Sequence, residues 1–187
     1  MNSRKCLKLI FLSFIIFLLG FIAGIFLPVG SGFNDTASCR DESSLNEDMY
    51  FFISNNVRVI FIALLGSVTF GTTSLTNLIL NGTFMGVVLR NAIENGASIT
   101  DILPLILPHA ILEIPAIIIA GAAGFKIPYE ILRYLAGKKE QILTQEDIRE
   151  YLTLALISII LIVIAAWIES NVTLKIAKSM LNSTKDI

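Results

Sequence analysis

Charge is scarce in this chain. Only 16% of its 187 residues are Asp, Glu, Lys or Arg, where soluble domains carry about 25%. Together with 55% hydrophobic residues and a mean hydropathy of +0.77, that scarcity excludes an ordinary soluble domain. The two cysteines, Cys6 at the start of the first apolar run and Cys39 in the loop after it, sit too differently for a disulfide framework or a paired-thiol site. The formal net charge is −1 and no concentrated basic patch exists, which removes nucleic acid as the main ligand. No G-x-x-x-x-G-K loop is present, so nucleotide hydrolysis by that route is excluded. With a single histidine, His109, neither the H-E-x-x-H of zinc proteases nor a Ser-His-Asp set can be assigned from spacing.

Apolar length is abundant. Leu9–Val29, Val59–Leu89, Ile102–Phe125 and Tyr151–Ile168 run for 21, 31, 24 and 18 residues, and only His109 and Glu113 among them ionise near neutrality. A helix rises about 1.5 Å per residue and crosses a hydrocarbon core of about 30 Å in roughly 20 residues. The spacing therefore predicts an all-α membrane bundle of about five spans forming one membrane domain over 1–187: 7–27, 50–71, 74–93, 102–125 and 151–170. The second run is too long for one helix, and Gly71-Thr72-Thr73-Ser74 supplies weak helix formers for a break. The N-terminal run exceeds the roughly 7–15 apolar residues of a signal peptide and reads as an uncleaved span. The intervening polar stretches are too short to build a core of their own.

Orientation follows from Lys and Arg in the connections. Arg4, Lys5 and Lys8 precede the first span, and Lys126, Arg133, Lys138, Lys139 and Arg149 lie between the fourth and fifth. Alternation puts both regions on one side, giving a cytoplasmic N-terminus and a cytoplasmic loop 126–150. The acidic loop 28–49 and the C-terminus then face outward, although Lys175, Lys178 and Lys185 run against that assignment. Within loop 126–150, Thr144-Gln145-Glu146-Asp147 resembles a helix start, a hydroxyl cap followed by acids at the positive end of the dipole.

An ionisable group at membrane depth costs at least a few kcal/mol and so needs a partner, water or a function. His109 and Glu113 stand at i and i+4, where imidazole and carboxylate can touch on one helix face. That face continues through Ala116, Ala120 and Gly124, small residues that admit a neighbouring helix. Pro115 removes the helical partner of the Ile111 carbonyl beside the pair, and broken helices at this depth build many ion and substrate sites. The pair either forms such a site or locks the bundle by bonding to itself. His109 and Glu113 are also the metal candidates, since imidazole and carboxylate can bind zinc or iron with water completing the shell. No cofactor is assigned. Glu169 at the end of the fifth span, Asn56 at the start of the second and Asn81 in the third complete the polar set. Gly20-x-x-x-Gly24 and Gly82-x-x-x-Gly86 are helix-packing signals.

Several of these residues carry a resemblance. Asn55-Asn56-Val57-Arg58, Gly66, Phe70-Gly71, Asn81-Gly82 with Gly86, Leu107-Pro108-His109, Glu113-Ile114-Pro115-Ala116, Ala120-Gly121 with Gly124, and Ala165-Ala166 with Ile168-Glu169 follow in order. Over roughly residues 50 to 173 this pattern resembles the stage II sporulation protein M family of multi-pass membrane proteins, departing from it at Ala110, where the family commonly has glycine. The resemblance implies a bundle of about five helices in the cell membrane. In spore formers the namesake works with a cell-wall hydrolase and a second membrane protein during engulfment, and the family extends to archaea and bacteriocin gene clusters. Carried over by position, Asn56, Asn81, His109, Glu113 and Glu169 are the polar residues of interest. Two functions follow as expectations. One is a non-enzymatic assembly component of an envelope-remodelling or export complex, with the bilayer, other membrane proteins or further copies of itself as partners. The other is a small transporter or channel-like subunit with a proton or cation site at His109 and Glu113.

Overall fold

The structure, a computed structural model, describes residues 3–26, 48–96 and 98–168, without the side chains of residues 3, 48–53 and 99–109. The described residues are all helical apart from turns: α1 is Ser3–Phe26, α2 Asp48–Leu64, α3 Thr72–Glu94, α4 Ile99–Leu135 and α5 Gln145–Ile168. The expected loop 28–49 lies outside the described residues up to residue 47 and gives way to α2 at Asp48, and Cys39, Glu169 and the C-terminal lysines are also outside them.

The helices alternate in direction. Asn77 of α3 bonds to Val59 of α2, and Ser74 to Ala63, so these two run antiparallel. Gly20 and Gly24 of α1 lie against Ile79 and Thr83 of α3 in the same order, so α1 and α3 are parallel. Lys5 near the start of α1 reaches Glu130 near the end of α4, which sets that pair antiparallel. The bundle is therefore up-down. The start of α1, the end of α4 and the start of α5 share one end.

α4 is the central element and touches the other four helices. Its small residues explain this position: Ala116, Ala120, Ala122 and Ala123 are fully buried, and Gly121 and Gly124 are buried beside them. A helix buried around most of its circumference must let its neighbours in from several sides. At 37 residues it is about 55 Å long, well beyond a hydrocarbon core of about 30 Å. The helix is unbroken through Pro104, Pro108, Pro115 and Pro128. The expected loop 126–150 is accordingly helical for most of its length, with only residues 136–144 between α4 and α5. The reason is that its charges are paired internally.

The break between α2 and α3 also differs from expectation. A 3₁₀ turn at Leu65–Ser67 and a turn through Gly71 carry it, ahead of the predicted Gly71–Ser74. Gly71 enters α3 at φ 87°, a conformation that glycine adopts without a Cβ penalty. Three described helices are long and apolar enough to cross a membrane: Arg4–Phe26, Ala110–Leu135 and Gln145–Ile168. α2 has 17 residues, and α3 interrupts its apolar residues with Thr72, Thr73, Thr76, Asn77 and Asn81.

Candidate functional site

The two glycine motifs meet. On one side, a Cβ on Gly20 would stand 2.6 Å from the Ile79 carbonyl oxygen, and one on Gly24 would strike the Thr83 carbonyl. On the other, Gly82 and Gly86 lie against the Phe17 and Phe21 carbonyls. α1 and α3 thus pack backbone to backbone over two turns, a contact that larger residues would hold apart. Arg90 of α3 closes the far end of this pair: its guanidinium reaches the Ile25 carbonyl at 3.4 Å while bonding Glu94 at 2.6 Å. That carbonyl belongs to the last turn of α1, which has no intrahelical partner for its final C=O groups. A second junction joins α2, α3 and α4. Ser74 Oγ donates to the Ala63 carbonyl at 2.6 Å, and a Cβ on Gly66 would come within 3.3 Å of the Gly124 Cα.

The polar residues singled out in the sequence do not all come together. Asn81 is half-buried, and its amide donates to the Asn77 carbonyl at 2.8 Å and to Asn77 Oδ1 at 3.2 Å. Asn77 in turn donates to the Val59 carbonyl at 3.2 Å, tying α3 to α2. This amide relay makes Asn77, absent from the expected set, its central member. Asn56 is buried in α2. Glu113 is half-buried in α4 and has no hydrogen bond or ion pair to a described residue. His109 lies one turn before it in α4, with its side chain outside the described residues. Among the described residues no group of three or more His, Cys, Asp or Glu side chains is arranged to hold a metal.

The largest polar assembly lies elsewhere, at the end shared by α1, α4 and α5. Lys126 and Glu130, one turn apart on α4, are both fully buried. Lys126 Nζ donates to Glu150 Oε2 at 2.6 Å and to Glu130 Oε1 at 3.2 Å, with Asp147 Oδ1 at 3.8 Å. Glu130 also accepts from Arg133 at 3.0 Å and Lys139 at 3.3 Å, and Lys5 of α1 stands 3.8 Å away. Lys139 pairs with Asp147, whose carboxylate accepts from the Thr144 amide at 2.8 Å and the Thr144 hydroxyl at 2.6 Å. Returning the bond, the Asp147 amide donates to Thr144 Oγ1 at 3.3 Å. That reciprocal pair is a capping box with aspartate in the acidic position, and it starts α5 where the sequence suggested a helix start.

Each ion in this network has several partners, which is the condition for burying charge at tolerable cost. The arrangement clamps α1, α4, α5 and the connection between the last two into one body. Sequence reasoning passed over it because a segment of alternating charge reads as a solvated surface. A signal was available in the spacing: Lys126/Glu130 and Asp147/Glu150 are same-face pairs on consecutive helices, both directly continuous with apolar runs.

Residues 13–174 match the protein family described as Stage II sporulation protein M. An uncharacterized protein of Methanocaldococcus jannaschii is 45% identical over 174 residues, covering 92% of this chain and 97% of that protein. A second uncharacterized protein of the same organism is 32% identical over 145 residues, covering 73% of this chain and 63% of that protein. No solved structure matches the chain significantly.

Proposed function

The chain belongs to the stage II sporulation protein M family, and on that premise we propose that it is a non-enzymatic, multi-pass component of the cell membrane that acts by assembling with other membrane proteins or with further copies of itself. All five helices cross the bilayer, with the charged end formed by α1, α4 and α5 in the cytoplasm. The complex it serves remodels or exports material across the envelope.

One observation carries this reading. Polar groups described inside the bundle hold helices together, Ser74 on Ala63, Asn77 on Val59 and Lys126 on Glu150, while Asn81 on Asn77 and Lys126 on Glu130 support those bonds from within α3 and α4. The buried Ser13 hydroxyl has no partner among the described residues, and Ser158 bonds only to Ala155 of its own helix. Small residues bring backbones into contact at both the α1–α3 and the α2–α3–α4 junctions. A frame of this kind suits a scaffold that presents outer helix faces to partners.

Glu113 favours the second reading, a proton or cation conduit, because a half-buried carboxylate on the central helix has no bonded partner among the described residues. Purified protein in liposomes separates the two. The assembly role predicts no flux of protons, sodium or potassium under imposed gradients. Flux in the wild type that disappears in His109→Ala and Glu113→Gln would replace the scaffold with the conduit.

A further inference from the structure

α3 turns a polar face outward. A cleft of about 280 Å³ lies along it, lined by Thr72, Thr73, Thr76, Asn77, Leu80 and Asn81 with Ile62 of α2. Thr72, Thr76 and Leu80 are exposed, and the Thr76 hydroxyl makes no hydrogen bond with a described residue. Asn81 spends its amide nitrogen on Asn77, but its Oδ1 accepts nothing from a described residue. The glycine contacts fix the depth of these groups. Gly20 and Gly24 of α1 lie against Ile79 and Thr83, and Gly82 lies against Phe17, which puts Asn81 level with the middle of the apolar helix Arg4–Phe26. Thr76 stands about 7 Å nearer the charged end, at roughly 1.5 Å per residue. With all five helices crossing, both positions lie among lipid chains, which offer no hydrogen bond.

We propose that this face of α3 docks a second copy of the chain, giving a two-fold dimer in which the two α3 helices lie side by side. The inference rests on the assembly role above and names its partner and its surface. Two copies inserted in the same orientation are related by an axis along the membrane normal, so each residue on the axis meets its own counterpart at the same depth. That geometry selects by chemistry. A hydroxyl both donates and accepts, so Thr76 can bond to Thr76 of the other copy, whereas a carboxylate or an ammonium would repel itself. From Thr72 to Leu89, α3 carries no charged residue. Leu80, 61% exposed, adds an apolar contact one turn deeper. Lipid would leave the hydroxyl unmet, and a partner with a charged face would find no counter-ion along this stretch.

Disulfide cross-linking of the full-length protein in liposomes tests this, in a Cys39→Ser background where the remaining Cys6 is buried. Thr76→Cys should form a covalent dimer in most chains on mild oxidation. The control is Ile160→Cys on α5, 49% exposed and at a similar depth, because Ser67 and Tyr151, equally far behind the two positions, touch each other; it should stay monomeric. Thr76→Val keeps the shape and removes the hydroxyl. At this exposed position it should melt like wild type, yet energy transfer between labelled chains should show its dimer dissociating roughly three- to tenfold more readily on dilution with lipid. Equal cross-linking at both cysteines would mean random collision and overturn the interface, as would a Thr76→Val dimer as tight as wild type. Energy transfer without a Thr76→Cys cross-link would move the dimer to another surface, overturning this inference while leaving the assembly role intact. Monomers at every protein-to-lipid ratio would overturn the dimer and hand the face to a different protein. The flux assay decides the assembly role separately, since flux lost in Glu113→Gln would remove that role whatever the cross-linking shows.

Discussion

Replacing Lys126 by methionine should destabilise this protein more than any other single change to a charged residue. The side chain is fully buried, and its ammonium contacts Glu150 at 2.6 Å and Glu130 at 3.2 Å. The two acids do not suffer equally. Glu130 keeps Arg133 at 3.0 Å, Lys139 at 3.3 Å and Lys5 at 3.8 Å, whereas Glu150 loses its 2.6 Å partner. Removing one member of a buried pair typically costs about 3–5 kcal/mol because the other charge stays behind without compensation. With Glu130 largely protected, the lower end of that range applies. For a chain of this size each kcal/mol lowers the melting temperature by roughly 2–4 °C, so the midpoint should fall by about 10 °C. Thermal unfolding of the purified protein in detergent, followed through the single tryptophan or by loss of the monodisperse sizing peak, measures it. The decisive companion is Lys126→Met with Glu150→Met. An apolar pair of similar volume removes both buried charges, so the double variant should recover most of the lost stability. Should Lys126→Met melt like wild type, or the double variant melt as low as the two single losses summed, the clamp described here would be refuted.

Other consequences can be measured in the same preparation. Gly24→Val or Gly82→Val forces a side chain into the Thr83 or Phe17 backbone; each should cost about 1–3 kcal/mol by prising α1 from α3, seen as a lower melting midpoint. Asn77→Ala removes both the donor to Val59 and the acceptor for Asn81, so a loss of about 0.5–2 kcal/mol is expected, larger than that of Asn81→Ala. Single cysteines placed at Asn95 and Lys138, at opposite ends of α4, should react with membrane-impermeant reagents from opposite faces of the membrane, Lys138→Cys from the cytoplasm. Labelling of both from one face would invalidate the crossing of α4.

Much of the fold was legible because membrane helices advertise themselves by apolar length. A helix overlaps each apolar run, although α4 and α5 extend through most of the expected loop 126–150, and the two G-x-x-x-G motifs mark a real interface because only missing side chains permit that backbone approach. Boundaries were harder. The α2–α3 turn came at Leu65–Gly71 rather than after Gly71, since local propensity there is weak and the Gly66–Ser74–Gly124 junction settles where the chain can bend. The buried charge cluster was the part least legible in the sequence. His109 and Glu113 drew attention because charge within an apolar run is conspicuous. Lys126, Glu130, Asp147 and Glu150 escaped it because charge after an apolar run looks like solvent exposure.

That difference in legibility has a general cause. Hydropathy and periodicity are properties of neighbours along the chain, and they were enough to establish a helical membrane protein, its segments and the small faces on which helices can close. Whether a lysine is solvated or wholly buried depends on what lies opposite it, and Glu150, the partner of Lys126, is 24 residues away on another helix. The same holds for Asn77, an unremarkable amide until α2 presents the Val59 carbonyl. Only packing brings such pairs to hydrogen-bonding distance, where desolvation makes each partner necessary to the other. That turned a stretch of mixed charge into the clamp at the base of the bundle.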